Sequence, residues 1–191
     1  MRSSTLTPLS SLRVTRNQIP AHCLIPNTSI QHKPLLIYHN AFRKDISASA
    51  IEAHIRAVGI AEPQWRYTMY SRSHFHSTAH ELLVVANGKA ELCFGGETNP
   101  GRAEVEVSKG DVMIVPAGVA HRLVREIREE GGDDDGGNGS FEMVGSYERG
   151  KSWDMCYGVE GEEKKVDKIK DVNWWAEDPI YGSGGPAVTG I

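Results

Sequence analysis

The sequence predicts an all-β fold, a sandwich or closed barrel carrying a few short helices. Three observations carry that expectation. From Trp65 to about Tyr157 apolar and polar residues alternate at period two in a series of short runs. Turn signals at Asn87-Gly88, Gly95-Gly96, Gly110-Asp111 and Ala117-Gly118 separate those runs. Helical spacing is confined to two stretches, one ahead of the strand-rich region and one behind it.

Residues 1–18 read as a flexible arm. Arg2, Arg13 and Arg16 sit among Ser and Thr, and no acidic residue precedes Asp45, which is the composition of an organellar transit peptide. Pro8 and Pro20 would break the amphipathic helix such a peptide needs, so a loose arm on a cytoplasmic protein is expected. Residues 19–191 read as one domain. It opens with Ile19 to Ile37, where short apolar groups alternate with Pro and Asn as in edge strands and turns. A helix follows: Ser49 and Glu52 have capping-box spacing, Ile51, Ile55 and Val58 share a face, and Gly59 is placed to stop it. Strands are then expected in RYTMYSRSHFH, ELLVVA, KAELCF, AEVEVS, DVMIVP, HRLVREI, FEMVGSY and WDMCYG. Glu129 to Ser140 is acidic and glycine-rich with nothing apolar to bury, and reads as a mobile loop. Asp133, Asp134 and Asp135 lack the alternating ligands and terminal Glu of an EF-hand, so calcium is not expected there. A last helix places Val166, Ile169 and Val172 at near-helical spacing.

Composition excludes several classes of function. With 39% hydrophobic and 24% charged residues, the 191-residue chain can build a real core. A formal net charge of −4 argues against a nucleic-acid partner, which needs concentrated basic surface. No apolar run is long enough to span a bilayer as a helix. Cys23, Cys93 and Cys156 are odd in number and form no CxxC pair, which suits idle thiols in a reducing compartment. There is no GxSxG elbow, no phosphate-binding GxxxxGK[ST] and no GxGxxG after a strand.

What stands out is HFHSTAHE. His74 and His76 are two apart on a strand, so both face one side, and Glu81 follows at the start of the next apolar run. Later, Gly110, Pro116 and Gly118 set up a strand and tight turn that can aim His121 back inward. Three neutral imidazoles and a carboxylate suit one divalent transition metal (Fe, Mn, Ni, Cu or Zn), not calcium. His80 has the opposite strand parity to the pocket, so a structural or supporting role is expected for it.

On these residues the chain resembles the RmlC-like cupin superfamily. The first cupin motif runs Gly, HXH, Glu, Gly; His74, His76, Glu81 and Gly88 match it, with Thr68 in place of the first Gly. The second runs Gly, PXG, His, Asn; Gly110, Pro116, Gly118 and His121 match, with Arg125 in place of Asn. The resemblance implies a single cupin barrel (jelly-roll, double-stranded β-helix) and names His74, His76, Glu81 and His121 as metal ligands. IPN near Ile25, PQWR at Pro63 to Arg66, GDVMIVPAGVAHR, and the terminal DPIYG and GGP look more narrowly like the YjlB-type single-domain cupins, nearly throughout from Ile19. The acidic loop is an insertion relative to that group.

If residues 66–76 form one regular strand, Thr68, Tyr70 and Arg72 share the inward face with His74 and His76. By the same parity Leu83 and Val85 accompany Glu81, and Leu123 and Arg125 accompany His121. Tyr70, Arg72 and Arg125 are therefore the expected catalytic and substrate-anchoring residues, a guanidinium suiting a carboxylate or enolate oxygen; rim salt bridges are the structural alternative for each Arg. Tyr147, Trp153 and Asp154 could contribute, with Trp153 expected chiefly as core. The resemblance implies a metalloenzyme for a small enolic, phenolic or carboxylate metabolite, foremost of oxygenase or dioxygenase type. A redox-neutral isomerase, decarboxylase or cyclase and a non-catalytic binding or storage cupin are the alternatives; the complete ligand set speaks against a metal-free epimerase. Cupins commonly pair as homodimers through edge strands or exchanged N-terminal segments, so a homodimer is expected.

Overall fold

The run ELLVVA has no alternation, and the computed structural model shows why: both faces of that strand are covered. Residues 5–128 and 140–189 are described. The strands are β1 (Arg13–Asn17), β2 (Leu35–His39), β3 (Ala61–Tyr67), β4 (Glu81–Asn87), β5 (Lys89–Phe94), β6 (Ala103–Ser108), β7 (Val112–Val115), β8 (His121–Glu126) and β9 (Glu142–Glu148); the helices are α1 (Ala48–Val58) and α2 (Glu163–Lys168). A six-stranded sheet runs in the order β1-β2-β7-β4-β9-β3, and a three-stranded sheet in the order β6-β5-β8. All pairings are antiparallel.

Period two then divides each strand between two cores. Leu83 and Val85 of β4 pack with Ile37, Met113 and Met143 against Ala90, Leu92, Phe94 and Val107 of the smaller sheet. Leu82, Val84 and Ala86 face the other way, onto Leu36, Tyr38 and the C-terminal Trp175, Ile180 and Ala187. Helix α1 covers that outer face with Ile51 and Ile55, both fully buried, each burial being worth about 1.5–3 kcal/mol. The result is the barrel-like all-β architecture expected. No helix among the described residues is long and apolar enough to cross a membrane.

Several elements differ from expectation. Arg13–Asn17 is a strand, paired with β2, inside the stretch read as an arm; its alternation is too polar to show as a strand alone. From the leader Ile19 to Ile37 only its end enters a strand, β2, which lies inside the sheet. The cap of α1 is Ser47, which accepts from Ala50 N–H at 3.2 Å, and Gly59 ends the helix at φ 81°. Glu52 is freed from the predicted capping box and accepts two bonds from Arg66, at 3.1 and 2.8 Å. RYTMYSRSHFH stops being a strand at Tyr67, and WDMCYG contributes one bridge, Cys156 to Phe75. The second helix is one short turn, α2, running into a 3-10 turn at Ile169–Asp171. The loop expected at Glu129–Ser140 lies, except for Ser140, outside the described residues.

His80 is buried against Trp174, ring centroids 4.7 Å apart, and its Nδ1 accepts from Ala117 N–H at 2.9 Å. Nε2 therefore carries the hydrogen; the carbonyls of Val172 and Asn173 lie nearby, but not at bonding geometry. Burial pulls this imidazole down to about 4 from its usual 6.5. As pH falls through 6.5 the unfolded chain takes up a proton that the folded chain refuses until about 4, so stability is lost across that window, by about 3 kcal/mol. His80→Asn retains an acceptor near Nδ1 and removes the titration. Urea unfolding at a series of pH values is expected to give a shallower acid slope for this variant than for the native chain. Parallel slopes would contradict it.

Candidate metal centre

The centre is assembled where short bridges, not long strands, hold the chain. His74 and His121 exchange backbone hydrogen bonds (3.3 and 2.9 Å), Phe75 and Cys156 do the same (2.8 and 2.9 Å), and Gly118 N–H donates to the His76 carbonyl at 2.8 Å. Gly118 adopts φ +92°, and a Cβ there would meet Asn27 O at 3.1 Å and Pro26 Cγ at 3.0 Å. Asn27 braces the same turn: its Oδ1 accepts from Ala120 N–H, and its Nδ2 donates to Pro20 O and Gly95 O. The IPN stretch thus supports the turn that aims His121, a role its polarity alone did not disclose.

His74, His76 and His121 are all buried, and their ligating atoms lie within 4.8 Å of one another. Each Nδ1 meets a backbone carbonyl: Arg72 O at 3.0 Å for His74, Asp154 O for His76, Val119 O at 3.0 Å for His121. A carbonyl only accepts, so each Nδ1 carries the hydrogen and each Nε2 turns a bare lone pair to the centre. Glu81, on the β4 face shared with Leu83, brings Oε2 to 3.1 Å from His121 Nε2 and 3.4 Å from His76 Nε2. Neutral imidazoles in this tautomer have no hydrogen to give it, and Oε2 is buried without a hydrogen-bond donor. The other oxygen, Oε1, accepts from Tyr147 Oη at 2.5 Å.

With the imidazoles neutral, four lone pairs thus converge in a buried space, which is costly unless a cation, proton or metal ion, joins them. The acid–base balance shows the same demand for positive charge, a proton on His76 competing with a metal ion to meet it. Burial and the neighbouring His121 pull His74 down to about 3. Burial also acts to lower His76, but Glu81 outweighs it and raises that imidazole. Burial acts to raise Glu81, yet His76 and His121 hold its carboxyl below the usual range. The buried three-His group can hold a metal ion, and nitrogen donors of this kind suit borderline divalent metals.

The centre opens into a cavity of about 360 Å³. Thr68, Met69, Leu83 and Met155 line it together with the rings of Trp65, Tyr67, Tyr70, Tyr147 and Trp153. Trp153 is a wall, not the core residue expected: it is 38% exposed, stacks on Tyr147 and meets His76 edge-on. Of the three expected anchors, Tyr70 borders the cavity, its ring edge-on to His74 at 5.6 Å. Arg72 does not: its guanidinium lies 3.8 Å from the Tyr157 ring centroid, and it serves the site through its carbonyl. Arg125 points outward to Glu91, Nε to Oε2 at 2.7 Å. The reason is a bulge. Leu92 pairs with Leu123 but Glu91 with Arg125, so Val124 is an extra residue and the parity counted from His121 reverses.

A cupin-domain family model matches residues 68–129, and the protein YjlB of Bacillus subtilis is 30% identical over 154 residues, covering 80% of this chain and 82% of YjlB. The chain belongs to the cupin superfamily, in the family of YjlB. Its solved neighbours are more distant. Procruciferin, an 11S globulin from Brassica napus, is 14% identical over 65% of this chain with a TM-score of 0.34. A mutant of Bacillus subtilis oxalate decarboxylase is 11% identical over 76% of this chain with a TM-score of 0.33. This cupin spans only 22% and 27% of those two chains, and neither likeness bears on its activity.

Asp154 ties the cupin centre to the 150s segment. Its carbonyl fixes His76, while its carboxylate accepts from Ser77 N–H at 2.7 Å and Ser77 Oγ at 2.9 Å. Asp154→Ala leaves those donors unpaired and is expected to destabilise the protein by about 1–3 kcal/mol. Urea unfolding checks this; an unchanged midpoint with an unchanged m-value would contradict it.

Proposed function

We propose that this cupin is a metal-dependent enzyme of oxygenase type, with His74, His76, His121 and Glu81 holding one divalent transition metal and an enolic or phenolic metabolite as substrate. One observation carries the reading: four buried donor atoms, three imidazole nitrogens and a carboxylate oxygen, converge at the floor of an aromatic-walled cavity. Once bound, the ion supplies Lewis acidity toward an enolate or phenolate oxygen and, if it is redox-active, chemistry with O2.

The chain's own residues narrow the substrate. Among the described residues, no Lys or Arg lines the cavity, so a carboxylate would enter without a cationic partner other than the metal. The faces of Trp65, Tyr147 and Trp153, with Met69, Leu83 and Met155, suit a planar apolar body. Tyr70, which borders the cavity and is half exposed, is assigned the role of hydrogen-bonding a substrate oxygen and passing it a proton. Tyr147 is already committed to Glu81, and burial holds its phenol far above the usual value, so it stays protonated.

A cytoplasmic homodimer belongs to the same reading. The three cysteines are free and suit a reducing compartment, and β1 lies at the outer edge of its sheet, where a second copy could pair.

Metal analysis of protein purified without chelator or metal resin tests the reading, beside His76→Ala. Near-stoichiometric Fe or Mn is expected in the native protein and its loss in the variant, with oxygen uptake on catechol or an enolic diketone. Zn or Ni in place of these would favour redox-neutral carbonyl chemistry. No metal after reloading with Fe, Mn, Ni and Zn would contradict the enzyme and leave a binding cupin.

A further inference from the structure

Glu81 has two oxygens, and the fold treats them differently. Register places Tyr147 of β9 opposite Glu81 of β4, and Trp65 of β3 opposite Gly145 of β9. The Trp65 indole lies directly over Gly145: an added Cβ there would sit 1.9 Å from Trp65 Cε2. In that position Trp65 Nε1–H reaches Tyr147 Oη at 3.2 Å. An indole nitrogen can only donate, so the Tyr147 oxygen accepts from it and gives its own hydrogen to Glu81 Oε1, at 2.5 Å. The direction of every bond in the chain from Trp65 to Tyr147 to Glu81 is therefore set. Oε1 is occupied, and Oε2 alone faces His76 and His121.

We propose that Trp65 and Tyr147 are positioning residues which commit Glu81 to ligate the metal through Oε2 only, leaving coordination positions open toward the cavity. The inference rests on the metal reading above. Without the Tyr147 hydroxyl the carboxylate is free to rotate, Oε1 can turn toward the ion, and chelation by both oxygens would close a position. Gly145 is part of the device, because any side chain there displaces the indole that orients Tyr147.

The test uses the full chain, stripped of metal with chelator and titrated with Co(II), comparing native protein with Tyr147→Phe and Trp65→Phe. Tyr147→Phe is expected to weaken Co(II) binding by roughly 10–100-fold and to change the intensity of the visible Co(II) bands, which report coordination number. Trp65→Phe, which keeps the Tyr147 hydroxyl, is expected to shift both readouts the same way by less. Circular dichroism establishes that each variant is folded, and Trp65→Phe alone decides the matter if Tyr147→Phe is not. Folded variants with native Co(II) bands, whether or not affinity falls, would overturn the inference while leaving the metal reading intact. Native protein that binds no Co(II) would overturn the metal reading and this inference with it.

Discussion

Each of the three imidazoles at the centre commits its single hydrogen to a backbone carbonyl, and much of the fold around the site serves that arrangement. The carbonyls come from three separate places: Arg72 ahead of the His pair, Val119 in the turn before β8, and Asp154 in the segment after β9. Holding all three requires the bridges between His74 and His121 and between Phe75 and Cys156, the Gly118 turn braced by Asn27, and the Asp154 clasp on Ser77. Outer partners of this kind fix ring orientation and tautomer and strengthen a ligand's basicity. His80 marks the contrast. One residue from Glu81, it receives a hydrogen at Nδ1 where the ligand-type histidines give one, and it belongs to the packing beneath Trp174.

The same constraint explains the shape of the cavity. Because the inner face of the six-stranded sheet is apolar from Leu83 to Val85, Glu81 at the strand's beginning is the point where that core meets the ligand cluster. The aromatic residues above it come from the ends of β3 and β9 and from the segments that follow, so the walls are irregular while the floor is built on paired strands. Charged pairs stay outside: Glu91 with Arg125 and Lys89 with Glu106 bridge neighbouring strands of the smaller sheet, and Arg122 of β8 pairs with Glu97 in the turn after β5.

The all-β class and the four convergent donors were legible in the sequence, since both depend on local periodicity and on spacing within HFHSTAHE and GDVMIVPAGVAH. Parity failed wherever the chain left regular strand. Arg125 was misplaced because one extra residue, Val124, reverses the face, and a bulge is decided by the partner strand. Arg72 was misplaced because β3 ends at Tyr67, so nothing enforces alternation up to His74. Trp153 has the apolar bulk of a core residue, yet the segment carrying it is tied through Asp154 to the histidine cluster, which leaves its ring on the cavity wall. β1 leaves no strand signal because its residues are polar enough to stay partly exposed, and only its pairing with β2 defines it.

The site depends on the tautomeric state of its three imidazoles. Long-range nitrogen–proton NMR of histidine-labelled protein loaded with zinc reads it directly. Nδ1–H is expected on His74, His76 and His121, with zinc-perturbed Nε2 resonances on all three and the opposite tautomer on His80. A hydrogen on Nε2 of any of the three in the zinc-loaded protein, or Nε2 resonances indifferent to zinc, would contradict it.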